Sequence, residues 1–328
     1  VQAHAGQGGC VPFGMFFVVI LDFLLQTYAV NFTVSGFSSG GFMTAQFHVA
    51  YSTYIDAVAI FAGGPFYCSQ GKQNVAFSTC NSQPAYINSE SILAFAIEQS
   101  SEGTINNIEG LRNDKLWIFS GTSDTVVYPG TVNQTLGFYN NFLDPSNIMT
   151  NFTSEAAHAW ITDFYGNDCV FLGPPGMNNC GFDAAGQFLS FFYGTLNARG
   201  SFNSSNLKTF SQVPYTHGAT MDPVGYVYIP ESCLEAQCLV HVCFHGCLQS
   251  ASNIGTGFVE NTGLNQWAET NNIVVIYPQA ADDLIRNPGG CWDFWGYTGP
   301  NFWSTAGKQV SGVWRMTQNI SEIIHSAS

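Results

Sequence analysis

The sequence predicts an α/β fold with a mostly parallel central sheet flanked by helices. Three observations carry this. Short apolar runs at 57–62, 115–120, 239–244 and 273–277 have the length and composition of strands buried on both faces. Segments with helical spacing of apolar residues, among them 42–54, 130–142 and 307–325, alternate with those runs. A tight turn, Gly36-Phe37-Ser38-Ser39-Gly40, joins the first strand to the first helix.

The elements follow in order. Residues 30–35 alternate apolar and polar and suit a strand, followed by the turn and a helix over 42–54. A buried strand at 57–62, a cysteine-bearing loop and a helix near 91–98 come next. The strand 115–120 ends in Gly-Thr-Ser-Asp124, and a helix covers 130–142. A strand at 147–153 leads to His158, and a helix at 184–193 follows the loop holding Cys169 and Cys180. Residues 196–218 are rich in Asn, Ser and Gly and are expected to be a connector. Strands at 225–229, 239–244 and 273–277, a helix at 261–270, an aromatic loop at 291–303 and a last helix at 307–325 complete the chain. No internal repeat is visible.

Composition narrows the function. The 328 residues are 46% hydrophobic, enough for a sizeable core, but only 9% charged, against about 25% in an average soluble domain. The net charge of −14, with eight Lys and Arg, leaves nothing to neutralise a run of phosphates, so no nucleic-acid partner is expected. Ten cysteines without CxxC pairs or His-Cys clusters point to disulfides in an oxidising compartment rather than to a metal site. Local spacing suggests Cys68–Cys80, Cys169–Cys180 and Cys233–Cys238, with Cys247–Cys291 as a longer link, although spacing does not fix connectivity. Cys10 and Cys243 are left over, and Cys243 sits in an apolar run as a buried thiol. Sequons at Asn31, Asn133, Asn151, Asn203 and Asn319 agree with secretion.

Residues 15–25 form an apolar stretch too short to span a bilayer, read as a signal-peptide core with cleavage after Ala29. The competing reading is a buried strand or helix of the domain. No stable membrane span is expected elsewhere.

The turn at 36–40 fits the G-x-S-x-G nucleophile elbow, in which a strand bends sharply into a helix and small neighbours make room. Ser38 is flanked symmetrically by Gly36 and Gly40, and Ser39 is the rival. The elbow also places the Ser39 N–H at a helix start, where it can hold an oxyanion. A serine hydroxyl needs a base and the base an orienting acid. Asp124 and His158 each follow a predicted strand, in the order Ser, acid, His that this kind of fold uses. His48, His217 and His241 are worse placed for a base. The segment 239–244 followed by His245-Gly246-Cys247 looks like the turn that supplies a second oxyanion N–H, with His245 as a structural residue. That turn ordinarily precedes the nucleophile, and here it follows by some two hundred residues. Circular permutation of an α/β-hydrolase fold accounts for this.

Gly-Phe-Ser-Ser-Gly-Gly-Phe-Met-Thr-Ala-Gln-Phe from 36, Gly-Thr-Ser-Asp-Thr-Val-Val around Asp124 and Ala-Ala-His at 156–158 resemble the extracellular polyhydroxybutyrate depolymerases. So do His-Gly-Cys-Leu-Gln from 245, Asn-Thr-Gly-Leu-Asn-Gln-Trp-Ala at 261–268 and Asn-Pro-Gly-Gly-Cys-Trp-Asp at 287–293. The order is that of the circularly permuted, single-domain fungal type. The resemblance covers roughly 30–325. It implies Ser38, Asp124 and His158 as a triad, the Ser39 and Cys247 N–H groups as oxyanion donors, and no cofactor or metal. Where the family tends to show Cys-Trp-x-Trp, this chain has Cys291-Trp292-Asp293-Phe294-Trp295.

The resulting expectation is a leader over 1–29 and a single circularly permuted catalytic domain over 30–328. The protein would be a monomeric serine esterase, secreted or held in a digestive vacuole. Its partner would be a polyester or oligomeric ester gripped by Trp292, Phe294 and Trp295. Tyr297 and Trp303 lie in the same loop. Two other readings use the same residues: a carboxylesterase for small or carbohydrate-linked esters, such as feruloyl or acetyl esters, and a non-catalytic binding protein on a hydrolase scaffold.

Overall fold

Strand β1 (Phe32–Phe37) is buried along its whole length in the middle of an eight-stranded sheet. The structure is a computed structural model that describes residues 31–327. The predicted leader, its apolar stretch and Cys10 fall outside the described residues.

The other strands are β2 (Ile55–Phe61), β3 (Lys115–Phe119), β4 (Ile148–Asn151), β5 (Trp160–Thr162), β6 (Asn167–Asp168), β7 (Met177–Asn179), β8 (Leu207–Ser211), β9 (Val224–Tyr228), β10 (Leu239–Phe244) and β11 (Ile273–Tyr277). The large sheet runs β4-β3-β2-β1-β10-β11-β9-β8. The six strands from β4 to β11 are parallel, and β9 and β8 close one side antiparallel. The segment 196–218 is therefore not all connector: it contains β8, an edge strand with no fully buried residue and hence no apolar run to betray it. Strands β5, β7 and β6 form a small second sheet that the sequence did not suggest.

Successive residues of β1 point to opposite faces, which fixes the layers. Phe32 meets Phe47 of helix α1 (Ser39–Ala50) and Trp314 of the helix Lys308–Ala327. Thr33 meets Tyr193, at the end of the helix Ala184–Tyr193, on the other side. Helix α1 is buried all round, so it carries no amphipathic stripe. Four disulfides are present: Cys68–Cys80, Cys169–Cys180, Cys233–Cys238 and Cys247–Cys291. Cys243 is a free, buried cysteine whose thiol is pushed up by burial.

Three histidines are fully buried among the described residues: His48, which faces Asp114 at 3.0 Å, and His241 and His245, which face no carboxylate. His241 bonds Thr33 Oγ1 through Nδ1 and Ser35 Oγ through Nε2, each at 2.7 Å. Burial lowers His241 to about 3 and His245 to about 4. Both are neutral in the folded protein, whereas an unfolded imidazole titrates near 6.5. Their contribution to stability is therefore complete above about 6.5 and is lost as pH falls toward about 4. Urea denaturation should show a loss on the order of a few kcal/mol between pH 7 and pH 4.5. A stability that stays flat over that interval would contradict the buried neutral assignment.

Candidate active site

At the C-terminal end of β1 the chain turns through Ser38, which has φ +57° and ψ −122°, a region that non-glycine residues seldom enter. The turn is held from both sides: Ser38 N–H donates to Phe61 O, and Phe42 N–H donates to Ser38 O, each at 3.0 Å. Its glycines are sterically required. A Cβ on Gly36 would lie 2.1 Å from Gly40 O, and one on Gly40 would lie 2.5 Å from both Phe244 O and His245 O. Strain of this kind costs about 1–3 kcal/mol and persists only where the surroundings over-determine it.

Two loops from neighbouring strands reach the same rim. The loop after β4 carries His158, whose ring packs on Phe37 with centroids 4.6 Å apart. Its Nε2 is 2.9 Å from Ser38 Oγ, and its Nδ1 is 2.7 Å from Asp124 Oδ2. Asp124 follows β3 and is 4% exposed. Its Oδ1 accepts from the N–H groups of Val126 and Val127, each at 2.9 Å. With Nδ1–H donating to the Asp124 carboxylate, Nε2 is left to accept from the Ser38 hydroxyl. Ser38, Asp124 and His158, far apart in sequence, are thus a single chain of hydrogen bonds.

Ser39 and Cys247 line the same cleft as Ser38 and His158. Ser39 opens α1, where first-turn N–H groups have no partner within the helix. Around Cys247 the neighbouring amides are taken: Gly246 N–H donates to Gln249 Oε1 and Leu248 N–H to Gly289 O. The Cys247–Cys291 disulfide ties this turn to the aromatic loop.

The cleft has a volume of about 700 Å³, and most of its lining is apolar. Phe294 and Trp295 both line it, with Phe294 stacked on Phe42 at 4.3 Å and Trp295 edge-on to Phe77 at 5.0 Å. Trp292 does not. It has no exposed surface, packs under Phe244 and His245, and lies outside the cleft, so its expected contact with substrate is corrected. The reason is local. Cys291 is pinned to Cys247, which sends the next side chain inward. Asp293 then reverses the chain by accepting from the N–H groups of Trp295, Gly296, Tyr297 and Thr298 and from the Thr298 hydroxyl. Tyr297 and Trp303 also lie outside the cleft: the Tyr297 hydroxyl bonds Cys291 O, and Trp303 packs on Phe66 and Phe95.

Sequence reasoning missed part of the wall. Phe77, Val126, Val127 and the stretch 172–176 all line the cleft. The Gly173-Pro174-Pro175-Gly176 run was a visible turn signal, but nothing in it said that the turn faces Ser38. Among the described residues no group of His, Cys, Asp and Glu is arranged to hold a metal ion.

A hydroxyl, an imidazole and a carboxylate in line at the C-terminal rim of a mostly parallel sheet, behind a strained strand-to-helix turn, define a serine hydrolase on an α/β scaffold. No family model matches the chain. It is 37% identical over 300 residues to the polyhydroxybutyrate depolymerase of Talaromyces funiculosus, covering 86% of each. It is 39% identical over 298 residues to the poly(3-hydroxybutyrate) depolymerase of Delftia acidovorans, covering 88% of this chain and 59% of that relative's length. The crystal structure of the PHB depolymerase from Penicillium funiculosum superposes with a TM-score of 0.83 at 35% identity, covering 90% of this chain and 97% of that one. A serine-to-alanine PHB depolymerase complexed with R3HB trimer gives a TM-score of 0.84 at 35% identity and the same coverage. The chain belongs to the polyhydroxybutyrate depolymerase family.

Proposed function

We propose that this protein hydrolyses the ester bonds of poly(3-hydroxybutyrate)-type polyesters. The observation that carries this is the Ser38–His158–Asp124 hydrogen-bond chain opening into an apolar cleft. A neutral polyester offers no charge to bind, so apolar and aromatic walls are the suitable grip. The complex of a family member with R3HB trimer supports the same substrate class.

His158 Nε2 takes the Ser38 proton as Oγ attacks the ester carbonyl. The Ser39 and Cys247 N–H groups hold the oxyanion, and Asp124 stabilises the imidazolium. His158 returns the proton to the departing alkoxide, releasing an alcohol-ended fragment and leaving an acyl group on Ser38. Water, deprotonated by His158, then frees the acid end and restores the serine. We also infer a circularly permuted hydrolase domain over 30–328. β10, which leads to the oxyanion turn, lies parallel to β1 in the sheet although it comes much later in the chain. Four disulfides and exposed sequon asparagines at 31, 133, 203 and 319 favour secretion.

The test is release of 3-hydroxybutyrate or its oligomers from polymer films, beside soluble p-nitrophenyl and feruloyl esters. Release from film supports the polyester reading. Turnover confined to feruloyl or other small esters would favour the carboxylesterase reading. A further expectation concerns the wall: Trp295→Ala should lower kcat/KM on a hydroxybutyrate trimer about tenfold, the loss of one aromatic contact of about 1.4 kcal/mol. The rate on p-nitrophenyl acetate should change little. Equal losses on both substrates would mean that Trp295 supports the fold rather than the polymer.

A further inference from the structure

We propose that Gln249 is a positioning residue for this reaction: its side chain locks the oxyanion turn to the segment that carries the base. The inference rests on the ester-hydrolysis reading above, and it extends that reading to a residue with no proton-transfer role.

The Gln249 side chain is buried, and its two ends are engaged on different parts of the site. Oε1 accepts from Gly246 N–H at 2.8 Å. Nε2 donates to Pro175 O at 2.9 Å and to Gly176 O at 2.8 Å. The Gly176 carbonyl also accepts from Trp160 N–H at 2.9 Å, two residues beyond His158. One amide therefore bridges the turn holding Cys247 and the stretch that follows His158. Its orientation is unambiguous, because the Gly246 N–H can only donate and the two carbonyls can only accept.

Two further features agree. A Cβ on Gly246 would lie 2.9 Å from Gln249 Oε1, and one on Gly176 would lie 2.9 Å from Nε2, so a side chain at either place would push the Gln249 amide out of its bonds. The next peptide is fixed as well: His245 Nδ1–H donates to Gly246 O at 2.7 Å, while His245 Nε2 accepts from Ala280 N–H at 3.1 Å. In a trans peptide the Cys247 N–H points opposite to that carbonyl. Gln249 holds one side of the Gly246 residue and His245 the other, so the direction of the Cys247 N–H is set before substrate arrives. A small tilt of this donor costs rate and not binding, because the oxyanion exists only in the transition state.

The test compares wild type, Gln249→Leu and Gln249→Glu on a p-nitrophenyl ester and on the matching thionoester, whose sulfur accepts hydrogen bonds poorly. Gln249→Leu should lower kcat on the ester roughly 30- to 300-fold, with KM nearly unchanged, approaching the loss of one oxyanion donor. The thionoester rate should fall much less, so the ester-to-thionoester ratio shrinks. Gln249→Glu keeps the acceptor for Gly246 but sets an oxygen against the Pro175 and Gly176 carbonyls, so it too should lose more rate on the ester than on the thionoester; it decides the matter if the Leu variant does not fold. An unchanged kcat, or equal losses on ester and thionoester, overturns the proposal. Failure of the parent reading looks different: wild type itself would then turn over neither ester in a Ser38-dependent way.

Discussion

Ser38→Ala is expected to abolish turnover, lowering kcat on a soluble ester by about 10⁶-fold, the loss seen when a triad nucleophile is removed. Polymer hydrolysis should disappear with it, and the fold should remain. The Ser38 backbone, not its hydroxyl, makes the bonds to Phe61 and Phe42 that hold the turn, so the unfolding midpoint should move by no more than about 1 kcal/mol. Ser39 cannot take over. Its hydroxyl is buried and accepts from Trp292 N–H, and His158 is bonded to Ser38 instead. A fluorophosphonate adduct mapped by peptide sequencing should sit on residue 38. Residual turnover above about one thousandth of wild type, free of contamination, would remove Ser38 from the role.

Gly40→Val should damage both stability and catalysis. The added side chain would meet the carbonyl oxygens of Phe244 and His245, which are backbone atoms of β10 and of the turn after it. Those atoms cannot retreat without disturbing the parallel pairing of Gly36 with Phe244. Overpacking against backbone should cost about 3 kcal/mol. The elbow and the oxyanion turn would separate, and a displacement near 1 Å there costs about 100-fold in kcat. Urea midpoints and single-substrate kinetics read both effects. A variant with wild-type midpoint and kcat would mean that helix α1 and β10 do not approach as closely as described.

Where the sequence was readable, the reason was burial pattern. The runs at 239–244 and 273–277 and the helix at 184–193 coincide with observed elements because apolar residues dominate both strands and one face of the helix. Helix α1 begins at Ser39 rather than at 42, because two glycines conceal its first turn. The expected helix at 261–270 is the helix Leu264–Asn271, which starts later because Gly263 takes φ +85° and separates it from the short helix Gly257–Asn261. Strands β5 to β7 have two or three residues each, too few for a period to show. The site divides similarly. Ser38, Asp124 and His158 each stand beside an element with a clear signature. Trp292 departs from the expectation because composition cannot say which ring in Cys-Trp-Asp-Phe-Trp turns inward. That depends on a disulfide and on the bonds of Asp293. Gln249 closes the His-Gly-Cys-Leu-Gln run, but nothing in that run shows the bridge it makes, since its partners at 175 and 176 are joined to it only by the fold.

The central position of β1 bears on biosynthesis. Ser35 and His241, which bond across the pairing of β1 with β10, are 206 residues apart in the chain. A nascent polypeptide emerging from the ribosome can assemble β1 to β4 early, but the flank of β1 that β10 will cover stays open until most of the protein has been made. Separations of this size slow folding, and an uncovered strand flank invites the wrong neighbour. Vectorial synthesis therefore leaves one flank of the strand that carries Ser38 uncovered until β10 emerges, long enough for a chaperone to find it.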